Sequence, residues 1–139
     1  MQVSFESKNV AFPDIDKQNI SLWIEAVATN YDRRVGNVSY LFADDEEILR
    51  INREFLHHDY YTDIITFDYD EGNIINGDII ISLDTVQTNA QALGQPYLRE
   101  LHRVIIHGIL HLCGINDKGP GEREIMEAAE NQALQMILL

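Results

Sequence analysis

Residues 101–122, LHRVIIHGILHLCGINDKGPGE, decide how this chain is read. Upstream, Pro96 is suited to open a helix, because its fixed φ and missing N–H fit a first turn. The helix is expected over about 97–113. Gly114 stops it, since glycine enters the left-handed backbone region without steric cost. Gly119-Pro120-Gly121 is a second break, and a final helix starting at Glu122 and Glu124 is expected over about 122–137. Four residues along an α-helix advance about 400°, so His107 and His111 project from one face, one turn apart. Two imidazoles so placed can reach one metal ion, at about 2.0–2.1 Å each for zinc. The turn at Gly114 brings Asp117 back within reach as a third ligand. Three protein ligands and an open fourth position is the layout of a catalytic zinc site.

Two histidines at this spacing also occur in purely structural helices, so their surroundings matter. Ile106, Leu110 and Leu112 are apolar, which puts both imidazoles at a largely buried face where they need partners. Gly108 lies mid-helix, where glycine costs on the order of 1 kcal/mol relative to alanine, so something is expected to pack closely against it. A glycine stop and a carboxylate then follow at a workable distance.

Moving outward, QVSFE (2–6) alternates and reads as a strand. Asp14 or Asp16 can cap a helix over roughly 17–30, where Ile20, Trp23, Ile24 and Val27 recur at helical spacing. Gly36 and Asn37 read as a turn into the strand VSYLFA. Asp44 to Glu47 form an acidic helix start, with Ile48, Ile51 and Phe55 as its buried stripe. DIITFDY (63–69) and GDIIIS (77–82) read as strands joined by the turn-rich EGNIIN. Asp84 begins a helix to about Leu93, which Gly94 ends. The order is βαβαββααα, and the expected class is α+β, a mixed sheet packed against helices with a zincin-like metal-binding helix. No repeat, low-complexity tract or linker divides residues 1–139, so a single domain is expected.

The chain carries 10 Lys and Arg against 23 Asp and Glu, a net charge of −13. That argues against strong, nonspecific binding to bare nucleic acid. Arg33 with Arg34, and Arg99 with His102 and Arg103, read as solvated surface groups. A single cysteine, Cys113, excludes an intramolecular disulfide and reads as buried packing. The N-terminal residues have neither the basic start nor the apolar run of a signal peptide, and no apolar run reaches membrane-spanning length. A cytoplasmic protein without a membrane partner is expected.

The segment from His107 to Asp117 resembles the signature H-G-x-L-H-L-x-G-Y-D-H of the YbeY family of rRNA maturation endoribonucleases. His107, Gly108, Leu110, His111, Leu112 and Gly114 match position by position. Asn52, Phe55, Asp59, Thr62, Asp63 and Phe67 match that family's N-x-x-[YF]-R-x-x-D-x-P-T-D-V-L-S-F segment. Gly77-Asp78-Ile79 and Ser82 match its G-D-I-x-I-S strand, and Met126 falls at its methionine, expected as an apolar floor beneath the metal. The resemblance spans about residues 50–130. There are departures. The third histidine is Asp117 here, still an acceptable zinc ligand. The arginine suited to hold a scissile phosphate is Leu56, and the proline before Thr62 is Tyr61.

The resemblance implies a zinc-dependent endoribonuclease that cuts single-stranded RNA, with one Zn2+ per chain. Its substrates would be rRNA precursors, at the 3′ end of the small-subunit rRNA and in ribosome quality control. Thr62, Asp63, Arg53, His57 and His58 are the expected cleft or RNA-contacting residues, and Tyr60 and Tyr61 could stack on unpaired bases. Two rivals remain open. A ribosome-assembly factor with a mainly structural zinc fits the charge and the absent arginine. A zinc peptidase fits less well, because Gly108 stands where H-E-x-x-H enzymes carry their glutamate.

Overall fold

A computed structural model describes residues 2–56 and 62–137 of the chain. Its elements are β1 (Gln2–Ser7), α1 (Lys17–Thr29), β2 (Arg34–Ala43), α2 (Asp45–Phe55), β3 (Ile64–Asp68), β4 (Ile74–Ser82), α3 (Leu83–Leu93), α4 (Tyr97–Leu112) and α5 (Glu122–Leu134). The βαβαββααα order and the α+β class are as expected. The four strands lie in the order β1-β2-β4-β3. β1 and β4 flank β2 in parallel, while β3 runs antiparallel to β4 at the sheet edge. Parallel neighbours require long crossovers, which α1 and the α2–β3 segment supply.

The helices begin where short polar side chains can satisfy free N–H groups. Asp16 accepts from the N–H of Asn19, Asp44 from Glu47 and Ser82 from Thr85. Gly94 ends α3 in the left-handed conformation, at φ 64°. Side chains in strands alternate between faces. Tyr40, Phe42, Ile79 and Ile81 accordingly enter the main core with Ile105, Ile106 and Ile109 of α4. On the other face, Ile65 and Ile80 form a smaller cluster with Ile48 and Ile51 of α2. Trp23 of α1 donates its indole N–H to the carbonyl of Ala133 at 2.8 Å and lies edge-on to His102, pinning the end of α5.

Four expectations change. Gly36 and Asn37 are not a turn but an irregularity inside β2, where pairing with β4 shifts between Val35 and Val38. The side chain of Asn76 accepts there from the N–H of Asn37 at 2.8 Å, and a side chain at Gly36 would collide with it. The turn between β3 and β4 is tighter than EGNIIN, because Glu71 bridges Ile74 around Gly72 and frees Ile74 to Asn76 for the strand. Phe55 is 61% exposed rather than buried, with its ring edge-on to Phe67. The last helix ends at Leu134, short of 137. Among the described residues, no helix is long and apolar enough to cross a membrane.

Candidate active site

α4 packs closely on the sheet because Gly108 has no side chain. A Cβ at Gly108 would stand 2.9 Å from the Cδ1 of Ile79 and 3.2 Å from that of Ile64. The expected close neighbour is therefore the sheet itself. This seating sets His107 and His111, on successive turns, against one side of a cavity of about 490 Å³. Gly114 reverses the chain at φ 97°, and the N–H of Ile115 returns to the carbonyl of Leu110 at 3.1 Å. Asp117 then comes back under the helix, its Oδ2 lying 3.3 Å from His107 Nε2.

Two donors sharing a tetrahedral ion, with bonds near 2.0–2.1 Å, stand about 3.3–3.4 Å apart. The His107–Asp117 pair thus has the separation and the nitrogen-and-oxygen chemistry of a zinc-type edge. His111 lines the same cavity. Among the described residues, no group of three His, Cys, Asp or Glu side chains is gathered closely enough to hold an ion as it stands.

The far side of His107 is held by residues that sequence reasoning missed. Glu130 of α5 is buried, and its Oε2 lies 2.6 Å from His107 Nδ1. Its Oε1 accepts from Arg103 Nη1 at 3.0 Å. Arg103 Nε and Nη2 donate to the two oxygens of Glu100, at 2.8 and 2.5 Å. Arg103 is therefore not a solvated surface cation; it is tied between two buried carboxylates, 4.0 Å from Asp63. His102 is not a surface group either, being buried against Trp23. A signal for Glu130 was present in the sequence. Met126, Ala129, Glu130 and Ala133 share the buried stripe of α5, and a charged residue on such a stripe needs a partner.

Burial opposes charge on His107, but the bond to Glu130 and the nearby charges of Glu130, Asp117 and Asp63 outweigh it and raise its pKa. Burial likewise opposes charge on Glu130, and the His107 bond with the Arg103 guanidinium holds its pKa below the ordinary range. Burial pushes the Asp63 carboxyl upward, against the pull of Arg103 and His107.

Thr62 and Asp63 line the cavity, as do Leu56 and Met126, and Met126 is buried. Arg53 lies exposed on α2 and is not among the lining residues. His57, His58, Asp59, Tyr60 and Tyr61 lie outside the described residues. Two cations that the sequence reading passed over, Lys118 and Arg123, border the cavity. Cys113 is buried packing, and that burial raises its thiol pKa to about 11.

The family model described as Endoribonuclease YbeY matches residues 2–138. The chain is similar to the protein named Endoribonuclease YbeY from Phocaeicola vulgatus, 64% identical over 137 residues and covering 99% of each chain. The protein of the same name from Bacteroides fragilis is 60% identical over 136 residues, covering 98% of each. That from Azobacteroides pseudotrichonymphae is 45% identical over 137 residues, covering 99% of each. Among solved structures, the solution structure of a Thermotoga maritima protein is similar at TM-score 0.69 and 25% identity, over 98% of this chain and 89% of that one.

Proposed function

Because the chain belongs to the YbeY family and is an endoribonuclease, we propose that it uses one zinc ion, held by His107, His111 and Asp117, to cut single-stranded rRNA precursors in small-subunit maturation. The observation that supports the ligand set is the 3.3 Å separation of His107 Nε2 and Asp117 Oδ2, beside a cavity that His111 also lines. An ion held by these residues would supply Lewis acidity toward a phosphoryl oxygen or toward water.

The chain's own residues divide the remaining work. Lys118 and Arg123 would bind the RNA backbone at the cavity's edge, where Leu56 offers no hydrogen bond. Asp63 Oδ2, with its pKa raised by burial, is suited to exchange a proton with an attacking or departing oxygen. Arg103 spends three of its five N–H groups on Glu100 and Glu130, so its main work is to position other groups. Met126 and Ile64 add apolar side chains to the cavity lining. The net charge of −13 makes capture of free RNA weak, so the ribosomal small subunit would present the substrate, in the cytoplasm. A peptidase reading falls away, since the named relatives are endoribonucleases and Gly108 offers no base.

The test is to strip the purified protein of metal, restore zinc, and incubate it with rRNA precursor for analysis on a denaturing gel. Cleavage that disappears with chelator and returns with zinc is expected, with double-stranded controls left intact. A fully zinc-loaded protein that cuts no RNA, free or on the small subunit, would return the reading to a structural zinc.

A further inference from the structure

The geometry points to Glu130 and Arg103 as positioning residues: Arg103 fixes the Glu130 carboxylate, which fixes His107 with its proton on Nδ1 and its Nε2 lone pair toward the cavity. This rests on the proposed role of His107 and deepens it.

Glu130 is 3% exposed and uses both oxygens, one on Arg103 Nη1 at 3.0 Å and one on His107 Nδ1 at 2.6 Å. A carboxylate held ionised by a guanidinium only accepts hydrogen bonds, so the hydrogen must sit on Nδ1. The neutral ring then has one lone pair, on Nε2, the atom that faces Asp117 at 3.3 Å. Glu100 completes the relay by accepting from Nε and Nη2 of Arg103 in a fork, which fixes the plane of the guanidinium and aims Nη1 at Glu130. Rotation of the ring would break the 2.6 Å contact and strand a buried charge, so orientation and tautomer are set together. A buried ionic network is a weak stabiliser in itself. This one ends on a ring whose other nitrogen enters the cavity, as carboxylates behind metal-binding histidines do.

The deciding experiment is long-range 1H–15N NMR of the metal-free protein, at a pH where His107 is neutral. The unsubstituted chain should show the Nδ1–H form. Glu130→Gln keeps the shape, but its amide oxygen will face Arg103 and its NH2 will donate to Nδ1. His107 should then switch to Nε2–H, and zinc affinity, read by chelator competition, should fall about 10- to 100-fold. Arg103→Lys, which keeps the charge but not the fork, should give a smaller loss with the tautomer retained. Finding Nε2–H in the unsubstituted chain overturns the inference, even if Glu130→Gln does not fold. So does a Glu130→Gln protein with unchanged tautomer, or with switched tautomer and unchanged zinc affinity. Failure of the unsubstituted chain to bind zinc, with the tautomer as expected, would overturn the metal assignment and leave the relay standing.

Discussion

Glu47 and Glu130 are both buried glutamates, each held by two basic side chains and each with its pKa drawn below the ordinary range. Glu47, in the first turn of α2, meets Lys8 at 2.6 Å and Arg50 at 2.5 Å. Those cations are 51% and 49% exposed, and Arg50 runs on to Glu54 at the surface. Glu130 is equally hidden, but its partners, Arg103 and His107, are only 28% and 18% exposed and border the cavity. One network runs outward into solvent and closes on itself. The other runs inward and ends on an atom that has work left to do. Burial of a carboxylate therefore says little about function; the direction in which its partner chain leads says much more.

The contrast can be broken most forcefully by removing a proposed ligand beside the inward network and the buried acid of the outward one. His111→Ala should lose zinc on dialysis and lose RNA cleavage by on the order of a hundredfold or more. Glu47→Ala should leave cleavage within about twofold, since nothing in its network reaches the cavity. Full zinc retention by His111→Ala, read by metal analysis, would remove that histidine from the ligand set.

The next effect in size is on stability. Glu47→Ala should cost about 1–2 kcal/mol in urea unfolding near neutral pH, from the lost charge-assisted bonds. Because the bond to Lys8, with Arg50 adding to it, lowers its folded pKa, the stability it supplies is present above its unfolded pKa. It is lost as pH falls from about 4.3 through the folded value. The gap between the unsubstituted chain and Glu47→Ala should therefore shrink over that window. A gap that widens on acidification would mean that the sign has been read wrongly.

A smaller change is expected where a cation is added rather than removed. Leu56→Arg places a guanidinium at the cavity, and cleavage at low RNA concentration should rise by about tenfold, one charge-assisted contact's worth. Equal rates at low salt would indicate that Lys118 and Arg123 already hold the backbone. The smallest effect belongs to Met126→Leu, a near volume-conserving swap that should cost under about 1.5 kcal/mol and leave zinc bound. A larger loss of metal than of stability would give the thioether a role beyond packing.

Most of the fold could be read from local chemistry. Asp16, Asp44 and Gly94 mark helix ends because capping needs only neighbours in sequence. Gly36 and Asn37 misled, since turn-forming residues also serve where a strand slips register. Phe55 misled because helical spacing places it on the same stripe as Ile48 and Ile51, yet it meets the Phe67 ring of β3 edge-on and stays 61% exposed. In the site, His107, His111 and Asp117 share one short segment, so spacing alone could place all three along one cavity and bring Asp117 back to His107. Glu130 lies 23 residues beyond His107, and their contact depends on how α5 docks on α4. Spacing along one helix carries no information about that docking. Arg103 was misjudged for the same reason, as its partners come partly from another helix.

Trp23 is the sole tryptophan of the chain, and its indole is tied to Ala133 at 2.8 Å. Ala133 lies one turn beyond Glu130 on the same helix. The chain thus carries a built-in optical gauge of whether the α5 helix is seated. Local opening of that helix would wet the indole and shift its emission to longer wavelength. That signal would precede global unfolding if the helix detaches as a separate unit. Fluorescence followed during gentle chelation or mild denaturant can therefore report the loosening of the glutamate behind the histidine, with no label added to the protein.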